Sequence, residues 1–242
     1  MSRITRLLCC LIPLLSLTAC ASLDAEFSET RDPYEDINRH IYAFNETLDQ
    51  YLLYPLSQGY QQIMPVPVNQ SITHFFNNLS SFTTLLNSLL QNKPDTARQT
   101  AVRFALNSSV GLAGFIDVAT PLGWPQHQED FAQTLGTWGI QPGPYLVLPV
   151  LGPSSIRGLT GRLVDWWTDP LNTLPNAPPK YALRSLSILD QRADLLPLSR
   201  VVAQALDPYS FVRDAYLQHQ ASAIRDGASQ TPDDWDDEFL YE

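Results

Sequence analysis

An all-α fold is predicted by three features of this sequence. Apolar residues recur at spacings of three and four in several windows, which sets them on one face of a helix. Asp-Pro occurs at residues 32–33, 169–170 and 207–208, the first and last just ahead of such a window. An acid that can cap, followed by a proline with φ fixed near about −65°, is a helix start. Strict polar–apolar alternation, the mark of a half-buried strand, persists nowhere, and Tyr145 to Val150 is the only short strand candidate. Six to eight helices are expected.

The first helix opens at Asp32-Pro33-Tyr34-Glu35, where Asp32 can cap and Glu35 completes a capping box. Ile37, Ile41, Phe44, Leu48 and Leu52 form one stripe, with Tyr51 beside them, and the helix is expected to end near Pro55. A second helix carries Ile72, Phe75, Phe76, Leu79, Phe82, Leu85, Leu86, Leu89 and Leu90. Between Val68 and Gln91 it has almost no charge; its polar face is Asn, Ser, Thr and Gln. A water-exposed helix of that length normally carries Lys and Glu, so this face fits better beside other helices or in a lipid interface. A third helix runs from Asp95 to about Leu106, with Arg98 and Arg103. NSSVGLAGFIDVATPLG, residues 107–123, then opens into glycine-punctuated apolar chain. Ser154 or Ser155 caps the next helix, along which Ile156, Leu159, Leu163, Trp166 and Trp167 follow. Asp169-Pro170 repeats the start signal, Tyr181 to Leu195 is a further helix, and Asp207-Pro208 starts the last, with Phe211, Val212, Ala215 and Tyr216 facing inward.

Residues 1–19 read as a signal peptide. Arg3 and Arg6 precede an apolar run from Leu7 to Leu17 that is too short to cross a membrane as a helix. Leu17-Thr18-Ala19-Cys20 resembles a bacterial lipobox, in which Cys20 becomes the acylated thiol. Acyl chains contribute about 0.8 kcal/mol per buried methylene, so two or three anchor stably where one does not. Ala21 in place of Asp after the cysteine points to the outer membrane, with the chain on the periplasmic side. Cys9 and Cys10 leave with the signal and Cys20 is taken by lipid, so stability is expected from packing without disulfides. Residues 20–31 form a lipidated tether and residues 32–225 the helical domain. Residues 226–242 carry seven acids and no Lys or Arg, an acidic tail that reads as solvated and disordered.

The formal charge is −10, and loss of Arg3 and Arg6 makes the remainder more acidic. That balance argues against nucleic acid and against unaided adhesion to an anionic membrane surface. Lysine occurs only at 93 and 180, and the remaining cations are arginine, the side chain that holds phosphate or carboxylate with two parallel bonds. His40, His74, His127 and His219 stand in no HExxH, and no GxSxG, Walker loop or GxGxxG before a helix occurs. No catalysis, metal or cofactor is expected.

Four segments occur in an informative order: DPYEDINRHIYAFNETLD (32–49), NLSSFTTLLNSLLQNK (78–93), RFALNSSVGLAGFIDVA (103–119) and EDFAQTLGTWGIQPGPYLVLPVLGPSSIR (129–157). They resemble the successive signatures of the MlaA (VacJ) lipoproteins, and DPYSFVRDAYLQ (207–218) fits as well. Ala132 departs from the pattern, since the family often has glycine there. The resemblance implies a ring-like single domain of amphipathic helices, lying in the inner leaflet of the outer membrane around a central channel. It implies removal of mislocalised phospholipid from the outer leaflet, and its passage to a periplasmic lipid-carrier protein. A trimeric outer-membrane porin is the implied partner in the membrane. Two other classes stay open: a structural lipoprotein that scaffolds a porin or the envelope, and a lipid-modifying enzyme.

Residues 136–155, GTWGIQPGPYLVLPVLGPSS, combine a high apolar content with four glycines and four prolines. Such chain can be neither a long helix nor a central strand. Irregular backbone is tolerated at membrane depth where it is buried in protein or lines a cavity. With the resemblance, this makes Gly136, Trp138, Gly139, Gly143 and Tyr145 candidates for a channel or hinge; a buried core loop with tight turns is the plainer alternative. Ser154, Ser155 and Arg157, at the next helix start, are candidates for receiving a lipid phosphate through free N–H groups, hydroxyls and a charged fork. A plain serine cap beside a solvated arginine is the alternative there.

Overall fold

The structure, a computed structural model, describes residues 32–175 and 178–226. Cys20, the signal peptide, the tether and the acidic tail beyond Asp226 lie outside the described residues. The described chain is helical, as the periodicity predicts, and carries one β-hairpin. Its elements are α1 (Glu35–Leu48), α2 (Tyr54–Ile63), α3 (Val66–Leu90), α4 (Pro94–Ser109), α5 (Phe131–Thr137), β1 (Tyr145–Leu148), β2 (Gly152–Ser155), α6 (Ile156–Thr168), α7 (Pro178–Asp194), α8 (Leu196–Ala203) and α9 (Pro208–Ile224). A π-turn, Asp49–Leu53, joins α1 to α2, and 3₁₀ turns occupy Thr120–Leu122 and Pro170–Thr173.

Several boundaries differ from expectation, each for a local reason. The first helix does not stop at Pro55. The π-turn shifts the hydrogen-bond register just before the proline, which then falls in the first turn of α2, where its missing N–H costs little. Arg192 holds this junction by donating to both carboxylate oxygens of Asp49, at 2.6 and 2.7 Å. Asp32 does not cap α1, whose cap position is Tyr34. The Asp32 carboxylate instead accepts from Asn38 Nδ2 at 2.7 Å and from the Tyr209 hydroxyl, tying the first helix to the last. Glu35 accepts from Arg39 rather than closing a capping box. Asp207 makes no capping bond to its own helix; its carboxylate accepts from Arg39 at 2.7 Å and from the Ser210 hydroxyl at 2.7 Å. Ser155 does cap α6, accepting from Gly158 N at 3.0 Å, and Asp169 caps only a short 3₁₀ turn. In α9 the inward side chains are Tyr209, Tyr216 and Leu217, whereas Phe211 and Ala215 are exposed. The short helices α5 and α8 and the strand β2 were not expected; each is too brief to establish a period.

The interior is divided. One apolar cluster joins α2, α3 and α7 through Tyr60, Ile72, Phe76, Leu171 and Ala193. A second joins the hairpin to α1 and α9 through Tyr145, Val147 and Tyr209, with Ile41, Tyr42, Tyr216 and Leu217 against it. The remaining buried positions are largely polar. Thr134 donates to Asn87 at 2.8 Å, Gln91 donates to Thr134 at 3.1 Å, and Asn87 donates to Asp165 at 3.1 Å. Arg103 pairs with Asp117 at 3.1 Å, and Asn107 joins them at 3.1 Å. Burial opposes the Asp117 charge, but hydrogen bonds from Thr120, Asn107 and Arg103 outweigh it and hold the carboxyl below its usual range.

The outside mixes polar residues with many large apolar ones. Phe44, Phe82, Leu89, Leu90, Leu163, Trp166 and Trp167 are all exposed, Trp167 at 83%. Helix α3 changes over along its own length. Its first half buries Ile72 and Phe76, and its second half buries Asn78, Thr84, Asn87 and Ser88 while Phe82, Leu89 and Leu90 face out. Among the described residues no helix is long and apolar enough to cross a membrane.

Candidate functional site

The glycine- and proline-rich segment is built as a hairpin on a short stem. Helix α5 starts where Asp130 accepts from Gln133 N, and where both oxygens of Asp165 accept from Phe131 N at 3.2 and 3.0 Å. Burial pushes the Asp165 carboxyl up, against those bonds. The helix ends at Gly139, which takes φ +83°, while Ile140 N reaches back to Leu135 O at 2.9 Å. That pairing is a left-handed glycine stop, and it explains this glycine. Gly143 is the second left-handed position, at φ +67°. Between them, two carbonyls are held by one residue of α6: Arg157 N donates to Pro142 O at 3.1 Å and Arg157 Nη1 donates to Ile140 O at 2.9 Å. Gly136 lies in the same place, since a Cβ there would sit 3.3 Å from Arg157 Nη1 and 2.5 Å from Ile224 Cδ1.

The hairpin itself pairs Tyr145 with Ser155 and Leu148 with Gly152. Both outer edges of this two-stranded sheet are occupied by side chains. On the β1 edge, Asn38 donates to Tyr145 O at 3.1 Å and accepts from Val147 N at 2.8 Å. Two helical turns on, Asn45 repeats the contact with Leu148 O at 2.9 Å and Val150 N at 2.7 Å. On the β2 edge, Arg162 donates to Leu151 O at 2.9 Å and Pro153 O at 2.8 Å. The tip projects Val150 and Leu151 to the outside, with Val150 held at φ +68°. Such a backbone is strained for a β-branched residue, and the Asn45 bond to its N–H helps retain it.

The structure therefore joins two groups of candidate residues that the sequence separates. Gly136, Gly139 and Gly143 define the stem, and Arg157 grips it. Tyr145 is only 1% exposed and packs on Tyr209 and Tyr216, with ring centroids 6.3 and 5.9 Å away. Its hydroxyl has no hydrogen-bond partner, and burial pushes its pKa up. Trp138 is on the surface at 54%, with its indole N–H donating to Leu90 O at 3.1 Å. Ser154 and Ser155 are buried, and Arg157 is 7% exposed rather than solvated. The first-turn N–H groups of α6 on Arg157 and Gly158 are already taken by Pro142 O and Ser155 Oγ. Asn38, Asn45 and Arg162 were missed. The available signal was the recurrence of Asn two helical turns apart beside Ile41 and Tyr42, where a buried face would ordinarily be apolar throughout. Among the described residues, no three His, Cys, Asp or Glu side chains gather as a metal would require.

A helical chain whose buried positions are largely polar, which exposes many large apolar side chains and holds a hairpin by side chains, is of the class whose surface marks contact with a membrane or a protein partner. Comparison with known proteins agrees. The family model for MlaA lipoprotein matches residues 30–223, and the chain belongs to that family. It is 32% identical over 227 residues to the intermembrane phospholipid transport system lipoprotein MlaA of Haemophilus influenzae, covering 91% of each chain. It is 33% identical over 208 residues to the protein of that name from Escherichia coli, covering 84% of this chain and 82% of the relative. A solved structure described as the structural basis for maintenance of bacterial outer membrane lipid asymmetry superposes with a TM-score of 0.72 at 29% identity, over 80% of this chain and 98% of its own.

Proposed function

We propose that this chain is a lipid-anchored protein of the outer membrane, facing the periplasm, that takes mislocalised phospholipid from the outer leaflet and passes it to a periplasmic lipid-carrier protein. A trimeric porin is its partner in the membrane, and it breaks no bonds in its cargo. The observation that carries this reading is the reversed burial. Exposed Phe44, Leu163, Trp166 and Trp167 suit acyl chains and the membrane interface, and buried Asn87, Thr134, Arg103 and Asp117 suit a route for a headgroup. Family membership supports phospholipid as the cargo, and the direction of transport is part of the proposal. Deleting the gene is expected to raise phospholipid in the outer leaflet, and the wild-type gene to reverse this. A Cys20→Ser gene, lacking the acylated thiol, is expected not to reverse it. Unchanged outer-leaflet phospholipid in the deletion strain would sink the transport reading, and release of fatty acid or lysolipid by the purified chain would favour an enzyme.

The stem of the hairpin is the moving part in this reading. Gly143→Ala is expected to cost about 1 kcal/mol or more, because alanine is strained at positive φ and its Cβ would sit 3.2 Å from Ile156 Cβ. Gly139→Ala meets no neighbour within 4 Å, so only the backbone strain remains. Both variants are expected to alter outer-leaflet phospholipid at near-normal membrane abundance. Melting temperature, abundance and outer-leaflet phospholipid are the three measurements; a lipid phenotype that only follows lost protein leaves a static turn.

A further inference from the structure

Among the described residues, two arginines are more than nine-tenths buried, and they are treated differently. Arg103, 6% exposed, has a carboxylate at 3.1 Å in Asp117, a hydroxyl at 2.9 Å in Thr120 and the carbonyl of Trp124. Among the described residues, Arg157, 7% exposed, has no carboxylate within 4.0 Å; its one side-chain bond there is Nη1 to Ile140 O, and its buried Nε has no partner. A guanidinium taken out of water without an anion is costly, and its remaining N–H groups add to that cost. One residue further along α6, hydroxyls gather. The hydroxyls of Tyr216, Ser154 and Ser155 converge on Gly158, where a Cβ would meet them at 2.5, 3.1 and 3.2 Å. Ser154 Oγ makes only a 3.4 Å bond to Ser155 O, and the buried Tyr145 hydroxyl makes none. Burial lowers the Arg157 pKa, outweighing the opposing attraction of Asp130, which acts from beyond ion-pair distance.

We propose that Arg157 is a phosphate-binding residue, and that the Ile140 carbonyl is the partner it holds until a phosphate oxygen replaces it. The ligand is a phosphate anion, in a lipid headgroup or free. The contact is made by the side chain, because the N–H groups of Arg157 and Gly158 are committed to Pro142 O and Ser155 Oγ. The exchange has a mechanical result. Ile140 lies between the left-handed glycines Gly139 and Gly143, so an Arg157 side chain that turns to phosphate removes one of the two carbonyl grips on the stem and leaves the backbone bond to Pro142 O. Headgroup arrival and loosening of the stem become one event. Only the lipid source of the ligand rests on the transport reading.

The test uses the full chain in detergent with three probes: dihexanoyl phosphatidylglycerol, dihexanoylglycerol and inorganic phosphate. The ¹⁵N–¹H resonance of Arg157 Nε, assigned by its loss in Arg157→Lys, is expected to shift with the phospholipid and not with the diacylglycerol. Arg157→Gln is expected to weaken phospholipid binding by about tenfold or more, the scale of a lost charge-assisted bond. A shift with inorganic phosphate at comparable concentration supports the site with the free ion as its source. No shift with either phosphate probe, or equal shifts with and without phosphate on the glycerol, overturns the proposal even if Arg157→Gln fails to fold. A wild-type chain that transfers phospholipid between vesicles while Arg157 stays silent overturns this site alone. An Arg157 response without transfer overturns the transport reading alone.

Discussion

Asn38→Ala is expected to destabilise the fold by about 3 kcal/mol, the combined scale of one orphaned buried N–H and one lost bond to a carboxylate. Asn38 is buried and makes three contacts, to Val147 N, Tyr145 O and Asp32. Val147 is itself buried, so no water takes over when the amide is removed. Asn45→Ala removes the equivalent pair at the hairpin tip, but Val150 is exposed and water replaces the amide. Its cost is expected to stay below about 1 kcal/mol. Urea unfolding of both variants makes the comparison. Similar small losses in the two would mean that the hairpin holds itself, and that its grip by α1 is incidental.

Gly161→Ala is expected to cost about 3 kcal/mol, at the upper end for an added methyl in a packed site. Its Cβ would lie 2.4 Å from Ala132 N, 2.6 Å from Ala132 Cβ and 2.8 Å from Ala132 Cα. Two of those three atoms are backbone, so α5 and α6 must move apart. Ala132→Gly in the same chain removes only the Cβ contact, and less than half of the loss is expected to return. Because α5 ends at Gly139 and α6 carries Arg157, the displacement also reaches the stem of the hairpin. Thermal melts of the two single variants and the double decide it. A Gly161→Ala chain that melts with the wild type would mean that the two helices are not in close contact in solution.

The helices were legible because their apolar periods are long. The second helix, with leucine and phenylalanine recurring across residues 72–90, is the clearest case, and α3 contains all of it. What periodicity could not show is which face is inside. Ile37 and Phe44 lie on the stripe of α1 and are exposed, while Asn38 beside them is buried. A period reports two unlike faces and says nothing of which one meets the solvent, and the usual assumption of water outside inverts when the solvent is lipid. The absence of charge between residues 68 and 91 was the one local hint of that inversion. In the candidate site, Gly139 and Gly143 were legible because positive φ is what glycine supplies. Arg157 was legible as a residue type at a helix start, but its burial was not. Burial depends on α5 and α9, which meet it only in the folded chain.

The edges of the hairpin have a consequence for the protein among its own copies. A two-stranded sheet ordinarily leaves two rows of unpaired amides, and each is a template on which a strand from another molecule can add. Asn38 and Asn45 cover one row and Arg162 the other. A chain rich in outward-facing leucine, phenylalanine and tryptophan must travel to its destination without clumping, and exposed strand edges would be the quickest nuclei for fibrous aggregation. With side chains seated on both edges, that route is narrowed, and self-association is left mainly to side-chain contact, which detergents reverse more readily than an intermolecular sheet.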